Sequence, residues 1–199
     1  MADREFTVTL PSDVAARLAA GEDVTSFVGD AIRHQVRREA ITTYLADCEQ
    51  AGLAPLSDDD LEDFRQLVGE DVRTYHLVYD TNAVVGHVTG TSRRLRAGLR
   101  LILDEPDLRL LVPAVCLLEA YAQTASDLRH LLDELATNPG VLVGAEDPDP
   151  RVAVTIGRLA AETGRAGAAH AAHVAIEGQG PAMVFTDTVM PTEVLARPT

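Results

Sequence analysis

Three acids of this chain stand where chemistry can be done. Asp80, in Asp80-Thr81-Asn82, follows the run His76-Leu77-Val78-Tyr79; Glu119 follows Val112-Pro113 a turn and a half into the next helical stretch; Asp187, after Thr186, follows Met183-Val184-Phe185. Carboxylates that meet at one point repel one another unless a cation sits between them. Three oxygen ligands of this kind suit a hard ion that keeps part of its water, Mg²⁺ or Mn²⁺. The plain alternative is that each acid caps a helix or lies in a solvated loop.

The elements that must position these acids follow from the apolar pattern. Residues 76–79, 108–112, 141–143 and 183–185 read as short strands, and helical stretches lie between them at 91–103, 114–136 and 150–177. Strands alternating with helices predict an α/β domain, a parallel sheet with helices on both faces. In such a sheet the functional crevice opens at the carboxyl ends of the strands, which is where the acids fall.

The first part of the chain reads differently. Glu5-Phe6-Thr7-Val8-Thr9-Leu10 alternates as a half-buried strand, Pro11 ends it, and Ser12 opens a short helix that Gly21 stops. Thr25 is placed to cap a longer helix, with Phe27, Val28, Ala31, Ile32 and Val36 at helical spacing, continuing past Tyr44 and Leu45. A lone strand needs a second copy to pair with, so this module predicts a homodimer or a higher even oligomer. After the break at Ala51-Gly52-Leu53-Ala54-Pro55, Ser57-Asp58-Asp59-Asp60 reads as a capping box opening a helix whose apolar side is Leu61, Phe64, Leu67 and Val68. The expected organisation is a β-α-α module over 1–46, an acidic helical linker over 47–73 and the α/β domain over 74–199.

Composition narrows the function. With 199 residues, 46% apolar and 24% charged, the chain can close a core, which excludes wholesale disorder and a fibrous design. No run approaches the ~18 apolar residues of a membrane span, and Met1-Ala2-Asp3-Arg4-Glu5 lacks a basic start to an apolar leader, so a cytoplasmic protein without membrane contact is expected. Cys48 and Cys116 have no ligand or disulfide spacing and read as buried small hydrophobes. The net charge of -14 comes from 31 acids against 17 Arg, with no Lys, and residues 47–71 hold nine of the acids and one Arg. That balance argues against nonspecific coating of nucleic acid, whose affinity comes from neutralising phosphates. Arg93, Arg94, Arg96 and Arg100 form the one basic cluster of the second half, either an RNA backbone contact or a solvated face.

Two resemblances give these patterns a function. Val78-Tyr79-Asp80-Thr81-Asn82, Val112-Pro113-Ala114 with Glu119, and Val184-Phe185-Thr186-Asp187 resemble the PIN-domain nucleases, including VapC-type toxins, over roughly residues 75–195. That family cleaves RNA with acid-held Mg²⁺ or Mn²⁺. The resemblance implies that Asp80, Glu119 and Asp187 bind metal or activate water, with Asn82 and Thr186 as polar support. Phe6-Thr7-Val8-Thr9-Leu10-Pro11 and Asp23-Val24-Thr25-Ser26-Phe27-Val28 resemble the ribbon-helix-helix (CopG-like) antitoxins and repressors. In that family a dimeric ribbon enters the DNA major groove, which implies base contacts by Glu5, Thr7 and Thr9 and phosphate contacts at Thr25 and Ser26.

One departure stands out. The nuclease family usually offers another acid where the helix before the last strand begins, and here that stretch is Ala166-Gly167-Ala168-Ala169-His170-Ala171-Ala172-His173. The two histidines could serve a softer metal or RNA, or be ordinary packing and surface histidines. The leading expectation is a fused antitoxin-toxin protein: operator DNA bound by the ribbon, and a metal-dependent endoribonuclease restrained in cis by the acidic segment. Two alternatives stand beside it: a nuclease-inactive DNA-binding repressor with a degenerate PIN domain, and a purely dimerising scaffold.

Overall fold

The computed structural model describes residues 23–69, 76–105, 108–144, 150–177, 182–186 and 194–195. The expected ribbon at residues 5–10, with Glu5, Thr7 and Thr9, lies outside them, as does Asp187. The chain divides into two compact units, Met1–Val36 and Arg37–Thr199.

Of the first unit the described part is the start of α1 (Val24–Gln50). Asp23, not Thr25, caps this helix: its Oδ1 accepts from the Thr25 amide at 3.0 Å, and the Phe27 amide bonds the Asp23 carbonyl at 2.9 Å. Asp23 sits one residue outside the helix, where a cap must be, whereas Thr25 is already inside the first turn. Ile32 and Val36, one turn apart, are 58% and 52% exposed.

The second unit is an α/β fold. Its sheet is built from β1 (His76–Tyr79), β2 (Arg109–Pro113), β3 (Val141–Gly144), β4 (Ala182–Phe185) and the short β5 (Val194–Leu195). The strand order is β3-β2-β1-β4-β5, with the first four parallel and β5 antiparallel to β4. β1 is central and carries Leu77, Val78 and Tyr79 with no exposure at all, as strands covered on both sides require. Among the described residues six helices follow β1 in the chain: α3 (Thr81–Val88), α4 (Arg94–Asp104), α5 (Ala114–Gln123), α6 (Arg129–Thr137), α7 (Pro150–Thr163) and α8 (Ala166–Glu177).

Two long helical stretches expected from the sequence are each broken. The 114–136 stretch stops at Gln123, where Thr124 turns extended (ψ 135°), and restarts at Arg129. The 150–177 stretch breaks at Gly164, whose φ of +69° only glycine adopts without strain. Its amide closes the end of α7 on the Ala160 carbonyl at 2.8 Å.

The end of α1 belongs to this unit. Ile41, Tyr44 and Cys48, at spacings of three and four, are buried in its core, so the compact unit begins ten residues before the expected boundary at 46. The acidic helix α2 (Asp58–Val68) does the same. The expected capping box is present: the Ser57 hydroxyl accepts from the Asp60 amide at 3.1 Å, while Asp60 accepts from the Ser57 amide at 2.8 Å. Phe64 and Val68 are each 3% exposed, a burial worth roughly 1.5–3 kcal/mol apiece. The Phe64 ring stacks on Phe185 of β4 at 5.5 Å, and Phe185 stacks in turn on Tyr79 of β1 at 4.8 Å. Residues 58–68 are therefore an integral helix of the α/β unit.

Candidate active site

The site begins at the end of β1. The Asp80 amide bonds the Phe185 carbonyl of β4 at 3.0 Å, which fixes the strand ends side by side, and the chain then turns into α3 with Asp80 as its N-cap. Asp80 Oδ1 accepts from the Ala83 amide at 2.9 Å. The Thr186 hydroxyl and the Asn82 amide also hydrogen-bond the Asp80 carboxylate. With 3% of the residue exposed, burial raises the Asp80 pKa above the ordinary value. Those hydrogen bonds and the charge of Arg165 oppose the rise.

Glu119 reaches the same place from α5. Its Oε2 accepts from the Thr81 hydroxyl at 2.7 Å, and its Oε1 accepts from the Gly167 amide at 3.2 Å. Glu119 thus satisfies an orphan amide in the first turn of α8 from a neighbouring helix. The approach needs glycine, because a Cβ at Gly167 would overlap the Thr81 hydroxyl and come within 2.5 Å of Glu119 Oε2. Behind them the Cys116 thiol donates to the Gly167 carbonyl at 3.0 Å, and burial pushes the Cys116 pKa up to about 12, so it is a structural thiol.

Asp80 and Glu119 share a pocket of about 300 Å³ at the carboxyl edge of the sheet, with Thr81, Asn82, Gln123 and Arg165 among its lining residues. Ala166 and Ala168 of α8 line it as well, at the stretch where the sequence offers no acid. The donors present are all oxygens, two of them carboxylates, which fits Mg²⁺ or Mn²⁺ better than a softer ion. Among the described residues no cluster of three His, Cys, Asp or Glu side chains forms a complete ligand set.

The histidines after Gly167 do not replace the absent acid at this pocket. His170 is 2% exposed, and its Nδ1 accepts from the Val115 amide at 3.3 Å, so it ties α8 to the start of α5. Neither His170 nor His173 is among the residues lining the pocket.

The arginine cluster also differs from the expected basic face. Arg96 points inward: it is 1% exposed, and its Nη1 donates to the Ala54 carbonyl at 2.6 Å. Nearly the whole circumference of α4 is buried, including Leu95, Ala97, Leu99 and Ile102, which leaves Arg96 no route to solvent. Arg96 is therefore removed from the candidate RNA contacts. Arg93 pairs with Asp60 of α2 at 2.7 Å, Arg94 is exposed and Arg100 is half-buried. A second cleft, about 610 Å³, lies between α2 and residues 90–97 and is lined by Asp60, Phe64, Leu67, Ser92, Arg93 and Arg94. Among the described residues of this segment, 47–69, none lines the Asp80 pocket.

In the first unit, Thr25 and Ser26 are exposed in the first turn of α1, where a phosphate contact was expected, and the Asp23 carboxylate holds the Thr25 amide there. Sequence reasoning missed Thr81, Gly167, Gln123 and Arg165. The available signal for the last two was local: Gln123 and Arg165 each stand beside a helix break that the apolar pattern runs across.

No protein-family model matches the chain, and no curated protein and no solved structure matches it.

Proposed function

We propose that the α/β unit is a PIN-like, metal-dependent endoribonuclease, joined in one chain to a ribbon-helix-helix module that dimerises and binds operator DNA. One observation carries the nuclease reading: Asp80 and Glu119, from two different elements, meet in one pocket at the carboxyl edge of a parallel sheet. Asp80 and Glu119 would hold the cation, with Asp187 as the third acid. When bound, such an ion lowers the pKa of water and offsets charge on the phosphodiester. The chain's own residues prepare the place. Thr186 and Asn82 orient Asp80, Thr81 and Gly167 orient Glu119, and the buried setting strengthens every charge interaction inside.

The restraint in cis takes a particular form in this reading. Asp60 occupies Arg93, so the acidic helix competes with RNA for an arginine beside the second cleft and leaves the acid pocket open.

The test is Mn²⁺ binding, followed by electron paramagnetic resonance, together with RNA cleavage by the full chain, its Asp80→Asn variant and its Glu119→Gln variant. The wild type is expected to bind Mn²⁺ and cut RNA, and both variants to lose binding and cleavage while remaining folded. One observation favours a second reading, the nuclease-inactive repressor: both oxygens of Glu119 are already engaged within the protein. Operator binding without Mn²⁺ binding or cleavage would select it.

A further inference from the structure

The Asp80 pocket is two-sided. One wall carries the carboxylates of Asp80 and Glu119; the other is the junction between α7 and α8, where Gly164, Arg165, Ala166 and Ala168 line it. The Arg165 position is fixed by the backbone. Gly164 turns the chain at φ +69°, and the Arg165 carbonyl accepts the first turn bond of α8, from the Ala169 amide at 3.1 Å. Arg165 is an exposed residue at the pocket wall, so a ligand can reach it. Its charge is felt at Asp80, where it favours the ionised carboxylate. Gln123, at the end of α5, adds an exposed amide to the lining.

We propose that Arg165 is the substrate-binding cation of this pocket and holds a non-bridging phosphate oxygen of single-stranded RNA beside the two acids. The proposal rests on the nuclease reading for its substrate, and it assigns the positive charge that the lining residues themselves supply. A phosphodiester entering a pocket with two carboxylates is repelled unless a fixed cation receives it. Arg165 is the cation lining this pocket among the described residues, and a guanidinium offers forked donors matched to phosphate oxygens. The arginines of 93–100 lie elsewhere: Arg96 is buried, Arg93 and Arg94 line the second cleft, and Arg100 is not among the residues lining this pocket.

The test uses the full chain, a fluorescein-labelled single-stranded RNA oligonucleotide and EDTA, so that binding is read by anisotropy without cleavage. Mn²⁺ binding alone is measured in parallel. Arg165→Ala is expected to weaken RNA binding about tenfold at low salt, the worth of one charge-assisted hydrogen bond. The slope of log affinity against log salt should fall by about 0.7, one phosphate contact on a single strand. Arg165→Lys should keep the slope and recover only part of the affinity, and Mn²⁺ affinity should not fall in either variant. Equal RNA affinity in wild type and Arg165→Ala overturns the proposal, as does failure of the wild type to bind RNA. A parallel loss of Mn²⁺ binding in Arg165→Ala also overturns it, by showing that Arg165 only props up the acids. The two readings separate cleanly: Arg165-dependent RNA binding without cleavage sinks the nuclease and keeps this site. Cleavage with RNA affinity indifferent to Arg165 does the reverse.

Discussion

Gly167 and Glu119 hold each other in place. The Gly167 amide donates to Glu119 Oε1 at 3.2 Å, and there is no room at Gly167 for a methyl group, which would come within 2.5 Å of Glu119 Oε2. Gly167→Ala must push α8 away from α3 and α5 or rotate Glu119 out of the pocket. Overpacking of this kind costs about 1–3 kcal/mol, several degrees of Tm in a domain of this size. Mn²⁺ affinity is expected to fall with it. Gly157→Ala is the control: it lies in α7 with nothing within 4 Å of the added carbon and should stabilise by roughly 0.5–1 kcal/mol. Thermal denaturation of both variants checks the pair, and equal Tm values would show that the contact at Gly167 relaxes freely.

Ala168 stands where a further carboxylate would join Asp80 and Glu119 in the pocket. It lines the cavity with Asp80 and Glu119 and is the third residue of α8, where the helix dipole itself favours an acid by about 0.3–1 kcal/mol. Ala168→Asp is therefore expected to gain Mn²⁺ affinity, about tenfold or more, since affinity follows ligand charge and number. Titration by electron paramagnetic resonance reads the change. An affinity that stays level would mean that the cation, if bound, sits away from the α8 wall.

Much of this architecture is legible in the sequence, and the parts that are not share a physical reason. The strand His76–Tyr79 and the Ser57 capping box are visible because they rest on local signals, a short apolar run and a side chain paired with an amide three residues on. The break at Gly164 is hidden because alanines on both sides continue the apolar pattern, and a glycine's φ is invisible in composition. Arg96 is misread because Arg is by default a surface residue, and helical spacing gives relative sides but not which side meets the core. Asp80 and Glu119 are found from their places after apolar runs. Thr81 and Gly167 act through contacts with residues 38 and 48 positions away in the chain, which no local pattern reports.

The Asp60–Arg93 pair makes a pH prediction. Hydrogen bonds from Ser57, with the Arg93 guanidinium behind them, lower the Asp60 pKa to about 2. The folded value lies below the unfolded one, so the contribution to stability is fully present above the unfolded carboxylate value near 3.9 and is lost as pH falls through about 2. The stability difference between wild type and Asp60→Asn should be level above about pH 5 and vanish toward pH 2. Urea denaturation across that range measures it. In the same variant Arg93 is released from its partner at 2.7 Å, so RNA affinity at low salt should rise about two- to fivefold. Unchanged RNA binding would separate Arg93 from the path of the substrate.

His87 gives a dependence of the same sign at milder pH. It lies fully buried between α1 and the core, its Nε2 2.6 Å from the Tyr44 hydroxyl, and burial lowers its pKa to about 3. The folded protein cannot protonate this ring while the unfolded chain does so near 6.5, so the unfolded state binds the extra proton between those values. Stability must then fall as pH drops below about 6.5, by up to about 1.4 kcal/mol per pH unit from this residue alone. His87→Gln keeps an acceptor for Tyr44 and removes the titration. At pH 7.5 the variant should be the less stable of the two, since its amide fits a site shaped for a ring less well. By pH 4.5 the gap should close or reverse, while carboxylates common to both proteins cancel in the comparison. Paired urea denaturation at pH 7.5, 5.5 and 4.5 reads this difference, and a gap that stays constant over the series would mean that His87 takes up its proton in the folded state.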